Sequence, residues 1–461
     1  MDETTTGTST HRTNFDRFAR QVNGDGPPWL DDLRRRGMAG FERVGFPSRK
    51  QEDWRHTNLD PIAGTHFELA TTDARAAASA AAEPAGRFSF GDDAACELVF
   101  VNGRMSLELS RIGDLPRGAR AGSLADALVT SADGLEQHLG RHADLERNPF
   151  VALNTGFIAD GAFVHVPRGA VIERPIHLLF VSTPSAEPTV AHPRVLVLVE
   201  DAARATVVES YVGSNAGTYF TNAVTEIVAG HDALVDHYKL QQEGAAAYHI
   251  ATMQVQVARG GTFVSHNASI GSRLTRNDLN VIMAGDGAAA TLNGLVLIGG
   301  EQHVDNHTLL DHAAPNCPSH ELYKHVLGGR ATAVFRGKIL VRQPAQKTDS
   351  KQSSKALLLS DDAVMNSQPA LEIYADDVKC THGSTTGPVD EEQVFYMRTR
   401  GVGLDAARHL MTYAFAADIT RRIKVEPVRR RLEEYMAAQH GLPLDLRIAD
   451  LGAHDEAVTN L

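Results

Sequence analysis

Between residues 160 and 385, a short motif recurs that few folds can accommodate. In each copy, a glycine or charged turn residue is followed by a small residue and, two positions later, by another apolar one. Residues two apart lie on the same face of a β-strand, so both side chains of each pair are expected to point inward. The small residues are Ala170, Ala205, Ala233, Thr262, Ala288, Ala331 and Ala363, and their partners are Ile172, Val207, Val235, Val264, Ala290, Ala333 and Met365.

The spacing of this motif predicts stacked coils. The turn residues stand 26 to 43 residues apart, mostly near 30, which is room for two strands and two turns in each coil. Coils of this kind stack into a parallel β-helix or a related β-solenoid. An antiparallel sandwich whose turns resemble one another is the alternative.

The segments on either side of the repeat are mainly helical in pattern. Asn102-Gly103 stands between two β-rich arms and predicts a hairpin with a type I′ turn, since both positions of that turn need positive φ. The predicted regions are an N-terminal helical region with an Ala-rich linker (1–90), a hairpin and helical lead-in (91–159), the β-helix core (160–385) and a C-terminal helical region (386–461).

The C-terminal region contains an amphipathic helix pair. Apolar residues at spacings of three and four form one stripe, made of Leu404, Ala407, Met411, Phe415, Ile419 and Ile423. A second helix begins at Pro427 and turns Leu432 inward. Arginines crowd the joint between the two helices, which fits either a solvated face or a docking site for an acidic partner.

Composition narrows the class of protein. A net charge of −12 disfavours nucleic acid and anionic membranes as partners. No stretch reaches the roughly 18 apolar residues that a membrane helix needs, and the N-terminus has no secretory pattern. The cysteines, Cys96, Cys317 and Cys380, are too few and scattered for a disulfide framework, so a cytoplasmic location is expected.

Two segments carry residues that could bind metal. The segment 303–325 is rich in histidine and includes Cys317, but its spacings match no compact metal motif. Cys380 and His382 are two apart, so on a strand they would share one face and one ion, unless Cys380 is internal and His382 merely exposed. Phosphate-loop and nucleophile-elbow motifs are not found, so no enzymatic template fits.

Several segments together resemble one family. They are FPSRKQEDWRHTNL, VFVNGR, NPFVALNTGF and, most specifically, ALEIYADDVKCTHGSTTGPVDEEQVFYMRTRGV (370–402). These segments are similar to the D-type branch of the SufB/SufD family of iron–sulfur cluster assembly proteins. The resemblance implies a right-handed parallel β-helix flanked by N-terminal and C-terminal helical regions, in agreement with the repeat.

The resemblance also implies a non-catalytic scaffold role. Such a chain pairs with SufB and docks the ATPase SufC through its C-terminal helices, so the expected docking residues are those of the stripe together with Leu432. No cofactor is expected to be tightly bound by this chain alone; iron or an iron–sulfur cluster would be held transiently at the SufB interface. The isolated chain could instead form a homodimer, and the sequence does not decide this.

One departure distinguishes the two branches. B-type proteins carry a cluster-building cysteine in the strand that here reads SKQSSKALLLS (350–360), where this chain has Ser353 and Ser354. By the resemblance, His382 is the functional position, with Cys380 beside it at the pairing interface. The alternatives are a SufB-like cluster-carrying scaffold and a stand-alone metal-binding β-helix protein. A β-helix lyase or hexapeptide acyltransferase is disfavoured, because neither clustered calcium-binding carboxylates nor a six-residue repeat is visible.

Overall fold

The computed structural model describes residues 3–22, 26–70, 74–130 and 135–440. The chain divides into two compact units, 1–386 and 387–461, which are described separately. The last part of the predicted C-terminal region, 441–461, lies outside the described residues. Within the described part, no helix combines the length and apolarity needed to cross a membrane.

The first unit contains helices that precede and accompany a long array of strands. Its helices are α1 (Glu3–Gln21), α2 (Pro28–Val44), α3 (Asp60–Ala63), α4 (Ala74–Phe88), α5 (Leu124–Val129), α6 (Leu135–His138) and α7 (Pro149–Gly156). Its first strands are β1 (Glu68–Leu69), β2 (Cys96–Val101), β3 (Arg104–Met105), β4 (Arg120–Ser123), β5 (Gly161–Val166), β6 (Ile176–Ser182), β7 (Thr189–Ala191), β8 (Arg194–Val199), β9 (Arg204–Gly213), β10 (Tyr219–Ala229) and β11 (Leu234–Gln242).

The array continues through the second half of the unit. These strands are β12 (Tyr248–Val257), β13 (Thr262–Ser269), β14 (Leu274–Met283), β15 (Ala289–Ile298), β16 (His303–His312), β17 (Pro318–Leu327), β18 (Thr332–Val341), β19 (Asp349–Leu358), β20 (Val364–Ser367), β21 (Ala370–Ile373) and β22 (Lys379–Pro388). The helices of the second unit are α8 (Glu391–Arg398), α9 (Leu404–Thr420) and α10 (Glu426–His440).

The strands form two sheets that the chain visits in turn. One sheet runs β20-β18-β16-β14-β12-β10-β8-β5-β4, and the other runs β22-β19-β17-β15-β13-β11-β9-β6-β2-β3. Pairing between successive coils is parallel, from β9–β11 through to β17–β19. The predicted parallel β-solenoid, with about eight turns and helices in both terminal regions, is confirmed.

The register explains the repeat. One inward column of the second sheet passes through Ala205, Val235, Phe263, Ala290, Ser319 and Ser350, at intervals of 27 to 31 residues. Each interval is one coil. Ala233 and Ala288, which the repeat predicts to face inward, are 1% and 0% exposed, so this expectation is confirmed.

Three details of the predicted columns are wrong. Ala205 pairs with Val235 and Val207 pairs with His237, so the predicted pair in this coil is two residues too late. Val264 is half-exposed, whereas its neighbour Phe263 is fully buried and pairs with Val235. The turn residue with positive φ is Gly260 and not Gly261, as it is Asp232 one coil earlier, so the predicted inward positions here are one residue too late.

Ala333 and Met365 pair with each other in the opposite sheet, and so do not continue the column of Val235. Each coil has two turns with small residues, one before each sheet. The sequence motif is the same at both turns, so it does not show which sheet follows.

The N-terminal segments are anchored on the outer surface of the solenoid. Trp54 stacks on the buried guanidinium of Arg276, 3.8 Å from the ring centre, and the Asp53 carbonyl accepts a hydrogen bond from the same guanidinium. The Thr57 hydroxyl donates to Asp305, which is also paired with Arg276. The segment that contains Asp53, Trp54 and Thr57 therefore attaches the N-terminal region to the middle coils.

The Ala-rich stretch and the predicted hairpin are both ordered. Ala81 and Ala85 of α4 are buried among Val99 and Leu179, so this part of the predicted linker is a packed helix. The turn Asn102-Gly103 has φ values of 52° and 83° between antiparallel β2 and β3, as a type I′ turn requires.

Candidate functional site

The strand that carries Cys380 and His382 is the last of its sheet. Among the residues that the structure describes, β22 has β19 on one side and no strand on the other. The backbone N–H of Lys379 donates to the Thr348 carbonyl at 2.8 Å. In the same way, the N–H of Thr262 donates to the Ala233 carbonyl where Thr262 lies beside Leu234, so Lys379 lies beside Asp349. Cys380 therefore continues the inward column of Ser350.

Cys380 and His382 have different environments on this strand. Cys380 is half-buried and packs against the apolar core of the solenoid, whereas His382 is exposed. Burial raises the pKa of the Cys380 thiol, and the nearby Asp349 carboxylate raises it further. At neutral pH, Cys380 is therefore a protonated thiol, and an incoming metal would have to displace its proton.

The other two cysteines are packing residues. Cys96 and Cys317 are both fully buried. Burial raises the pKa of Cys96 to about 12 and raises that of Cys317 as well. Cys380 is the most accessible of the three thiols, which makes it the candidate for sulfur or iron chemistry.

The histidine-rich segment is divided between the two sheets. His303 and His307 lie on β16 near the anchored N-terminal segment, where His303 contacts Thr57 and His307 lies 3.0 Å from Asp305. His325, on β17, is fully buried. Within the described residues, no group of three or more His, Cys, Asp or Glu side chains is placed to hold a metal ion.

The predicted ATPase-docking residues fall into two sets in the second unit. Ile419, Ile423 and Leu432 are buried within the chain. Leu404 is exposed, and Met411 and Phe415 are half-buried. The first set supports the fold, and Leu404 and Met411 have surface available for a partner.

A buried ionic cluster, which was not predicted from the sequence, lies inside the middle coils. Glu209 accepts hydrogen bonds from His237 and Tyr211 in the solenoid interior. Although burial alone raises the pKa of Glu209, these hydrogen bonds bring it below its ordinary value. Glu243 lies 2.7 Å from the Nδ1 atom of His249, and both are buried. Ionic groups replace apolar packing in this part of the core.

Lys239 is the cation of this cluster. Its ammonium donates to the Asn277 side chain at 2.6 Å and lies 5.2 Å from the centre of the Tyr211 ring. Burial lowers the pKa of Lys239 to about 8, against the opposing effect of the carboxylates of Glu209 and Glu243. A cavity of about 20 Å³ among these side chains has room for about one water molecule.

A signal for the cluster was present in the sequence. Val235 is an inward position of the repeat, and alternation places His237 and Lys239 on the same face of β11. Charged residues in phase with a buried column indicate a polar interior.

Comparison with known proteins identifies the family. Residues 180–415 match the family described as SUF system FeS cluster assembly, SufBD core domain, and residues 8–178 match the SufBD protein N-terminal region. The chain belongs to the SufB/SufD family of iron–sulfur cluster assembly proteins. The membership expected from the sequence resemblance is confirmed.

Individual SufB/SufD relatives agree over most of the chain. An iron–sulfur cluster assembly SufBD family protein of Synechocystis is 32% identical, covering 93% of this chain and 96% of the relative. SufD of Escherichia coli is 30% identical over 85% of this chain and 88% of its own. SufB of Bacillus subtilis is 27% identical over 65% of this chain and 64% of its own.

Proposed function

We propose that this chain is a non-catalytic scaffold subunit of a cytoplasmic iron–sulfur cluster assembly complex, pairing with SufB and docking the ATPase SufC. The observation that carries the proposal is the position of β22, at the end of a sheet with its other edge open. An open strand edge presents backbone donors and acceptors that another chain can pair with. The family includes SufB, and we propose SufB as the chain that pairs at this edge.

The side chains of β22 suit a site completed by a second subunit. His382 offers an exposed imidazole, and Cys380 lies two positions before it in the same phase of the strand. Imidazole and thiolate are both ligands for iron. Iron is cargo here: His382 receives it at the seam, the SufB cysteine provides the thiolate, and the buried seam excludes water.

Serines at the B-type cysteine position favour a supporting role over a cluster-carrying one. Ser354 of β19 is buried on the inward face, next to Tyr323 in register, and Ser353 is half-buried. A hydroxyl is a much poorer ligand for an iron–sulfur cluster than a thiolate. We therefore place cluster retention on the partner and iron entry on this chain.

The second unit is proposed to dock SufC. Leu404 and Met411 lie on one face of α9, and Arg421 and Arg422 follow its end with exposed side chains. An apolar strip bordered by positive charge suits an acidic partner surface.

Co-expression with the SufB and SufC of the same organism tests the proposal. Affinity purification through a tag on this chain is expected to recover both partners in fixed ratio. Recovery of this chain alone, or paired only with itself, with all three proteins soluble in the lysate, would reject the scaffold role. Iron bound by the chain purified alone would instead support a stand-alone metal-binding protein.

A further inference from the structure

A cleft of about 400 Å³ opens in the first coils of the solenoid, away from the proposed seam. Its walls come from α1, β1, the turn between β2 and β3, the segment after α7, and β7. In the second sheet, seven strands lie between β2 and β22, about 38 Å at 4.8 Å per strand. The cleft is therefore separate from the site of Cys380 and His382.

One part of the cleft wall is flat and apolar. Phe18, Leu69 and Val190 contribute apolar surface. The Phe157 ring stacks on the His192 ring with 4.7 Å between the ring centres and 7° between the planes. Phe157 and His192 are only 3% and 8% exposed, so the pair forms the base of the wall and offers a small apolar contact to a ligand.

The His192 ring is a neutral part of this wall. The Asn222 side-chain nitrogen donates both to the Phe150 carbonyl and to His192 Nδ1, so Nδ1 accepts and the proton lies on Nε2. Burial keeps the pKa of His192 well below its ordinary value, and nearby His11 lowers it further. The charge of the cleft therefore does not come from this imidazole.

Arg104 gives the cleft a guanidinium that is not paired with a carboxylate of the described residues. Arg104, in the β3 strand, is exposed, and its backbone pairs with Val101 while its guanidinium extends to the cleft. Arg17 is also exposed and shares its charge with Glu68 at 2.9 Å. The Asp160 carboxylate accepts hydrogen bonds from Met105, Ser123 and Ala125, and is mostly buried.

The volume and chemistry of the cleft fit a ligand. Protein interiors leave few voids larger than a water molecule, whereas ligand pockets measure roughly 300–1,000 Å³. An unpaired guanidinium beside an apolar wall is complementary to an anion with an apolar body. We propose that this cleft binds a small organic anion with an apolar body, such as a carboxylate, sulfonate or phosphate ester of that kind.

Two fluorescent probes that differ in charge test the proposal on the full-length chain. 8-Anilinonaphthalene-1-sulfonate has a planar apolar body and a negative charge, and N-phenyl-1-naphthylamine has the same body without the charge. We expect one anionic probe per chain, bound at least tenfold more tightly than the neutral probe. Equal affinity of the two probes for the wild-type chain would overturn the proposal.

Three variants locate the binding. Arg104→Glu should weaken the anionic probe at least tenfold and leave the neutral probe unchanged, and Ala159→Phe should block both by filling the cleft. Arg147→Glu, at a side chain 91% exposed elsewhere, is the matched charge control and should change neither affinity. Unfolding midpoints confirm that each variant is folded. Anionic binding unchanged in folded Arg104→Glu, or in folded Ala159→Phe, would overturn the proposal.

Discussion

At the scale of single residues, the solenoid depends on small side chains at turns and on ionic groups in its interior. Ala288 is fully buried at the start of a strand, where a neighbouring coil lies directly on either side. A close-packed interior has no space for additional methylene groups. The neighbouring position, Ala289, is half-exposed and faces the opposite side.

Ala288→Leu is expected to lower the free energy of unfolding by about 1–3 kcal/mol, because overpacking forces strained rotamers or backbone shifts. Ala289→Leu is the control and should change it by less than about 0.5 kcal/mol. Urea unfolding followed by circular dichroism measures both. Equal costs at the two positions would contradict the assigned register.

Lys239 predicts a specific pH dependence of stability. Its pKa falls to about 8 in the folded chain because it is buried, against about 10.4 for an unfolded lysine. Between these pH values the unfolded state binds more protons than the folded state, so raising the pH favours folding. The contribution of Lys239 therefore grows from about pH 8 upward, by at most about 3 kcal/mol.

The comparison with Lys239→Met isolates this effect. The free energy of unfolding of the wild type minus that of Lys239→Met should rise between pH 7.5 and pH 9.5. Lys355→Met, at an exposed lysine on β19, should show no such trend relative to the wild type. A difference that stays flat or falls would show that the buried ammonium is not destabilised by its surroundings.

At the scale of elements, the two edges of β22 have different hydrogen-bond partners. The N–H of Lys379 points to β19, and in a parallel strand the N–H groups of alternate residues point the other way. The N–H of Ser384 therefore points to the open edge. Proline is tolerated at edge positions whose N–H faces outward.

Ser384→Pro is expected to leave the chain folded and to weaken pairing with SufB at least tenfold, because it removes an outward donor and blocks the approach of a second strand. Ser384→Ala keeps the N–H and should pair like the wild type. Surface plasmon resonance with immobilised SufB measures both. Wild-type affinity in Ser384→Pro would place the pairing surface away from this edge.

The C-terminal helix α9 gives a second prediction for an element. Replacing Leu404 and Met411 together by Glu should abolish recovery of SufC while SufB is still recovered, since charge is introduced into the proposed apolar strip. Ala406→Glu, at an exposed position on another side of the helix, is the control. Normal SufC recovery with the double variant would place the dock elsewhere.

At the scale of the whole molecule, the sequence predicted what depends on local periodicity. The coils follow from small residues at regular intervals, and the hairpin follows from Asn102-Gly103, since both signals lie within a few residues. The one-residue offset at Phe263 was missed because two glycines, Gly260 and Gly261, stand at this turn, and the choice between them decides which face each following side chain takes.

The sites depend on tertiary structure to different degrees. Cys380 and His382 are two residues apart in the sequence, so alternation was enough to place them in one phase of a strand. The cleft joins Arg17, Arg104 and His192, which no local pattern connects. The ionic cluster combines side chains from several coils, although the phase of His237 and Lys239 with Val235 marks part of it.

The proposed role of this chain in cluster assembly depends on His382 at the seam with SufB. Iron and acid-labile sulfide, measured per complex after anaerobic co-expression with SufB and SufC, test it most directly. His382→Ala should form the complex in normal ratio, since one exposed ring contributes little to a large interface, but carry severalfold less iron and sulfide. Complexes of the wild type and of the neighbouring Thr381→Ala should carry the full amount. Wild-type iron and sulfide in the His382→Ala complex would contradict this role.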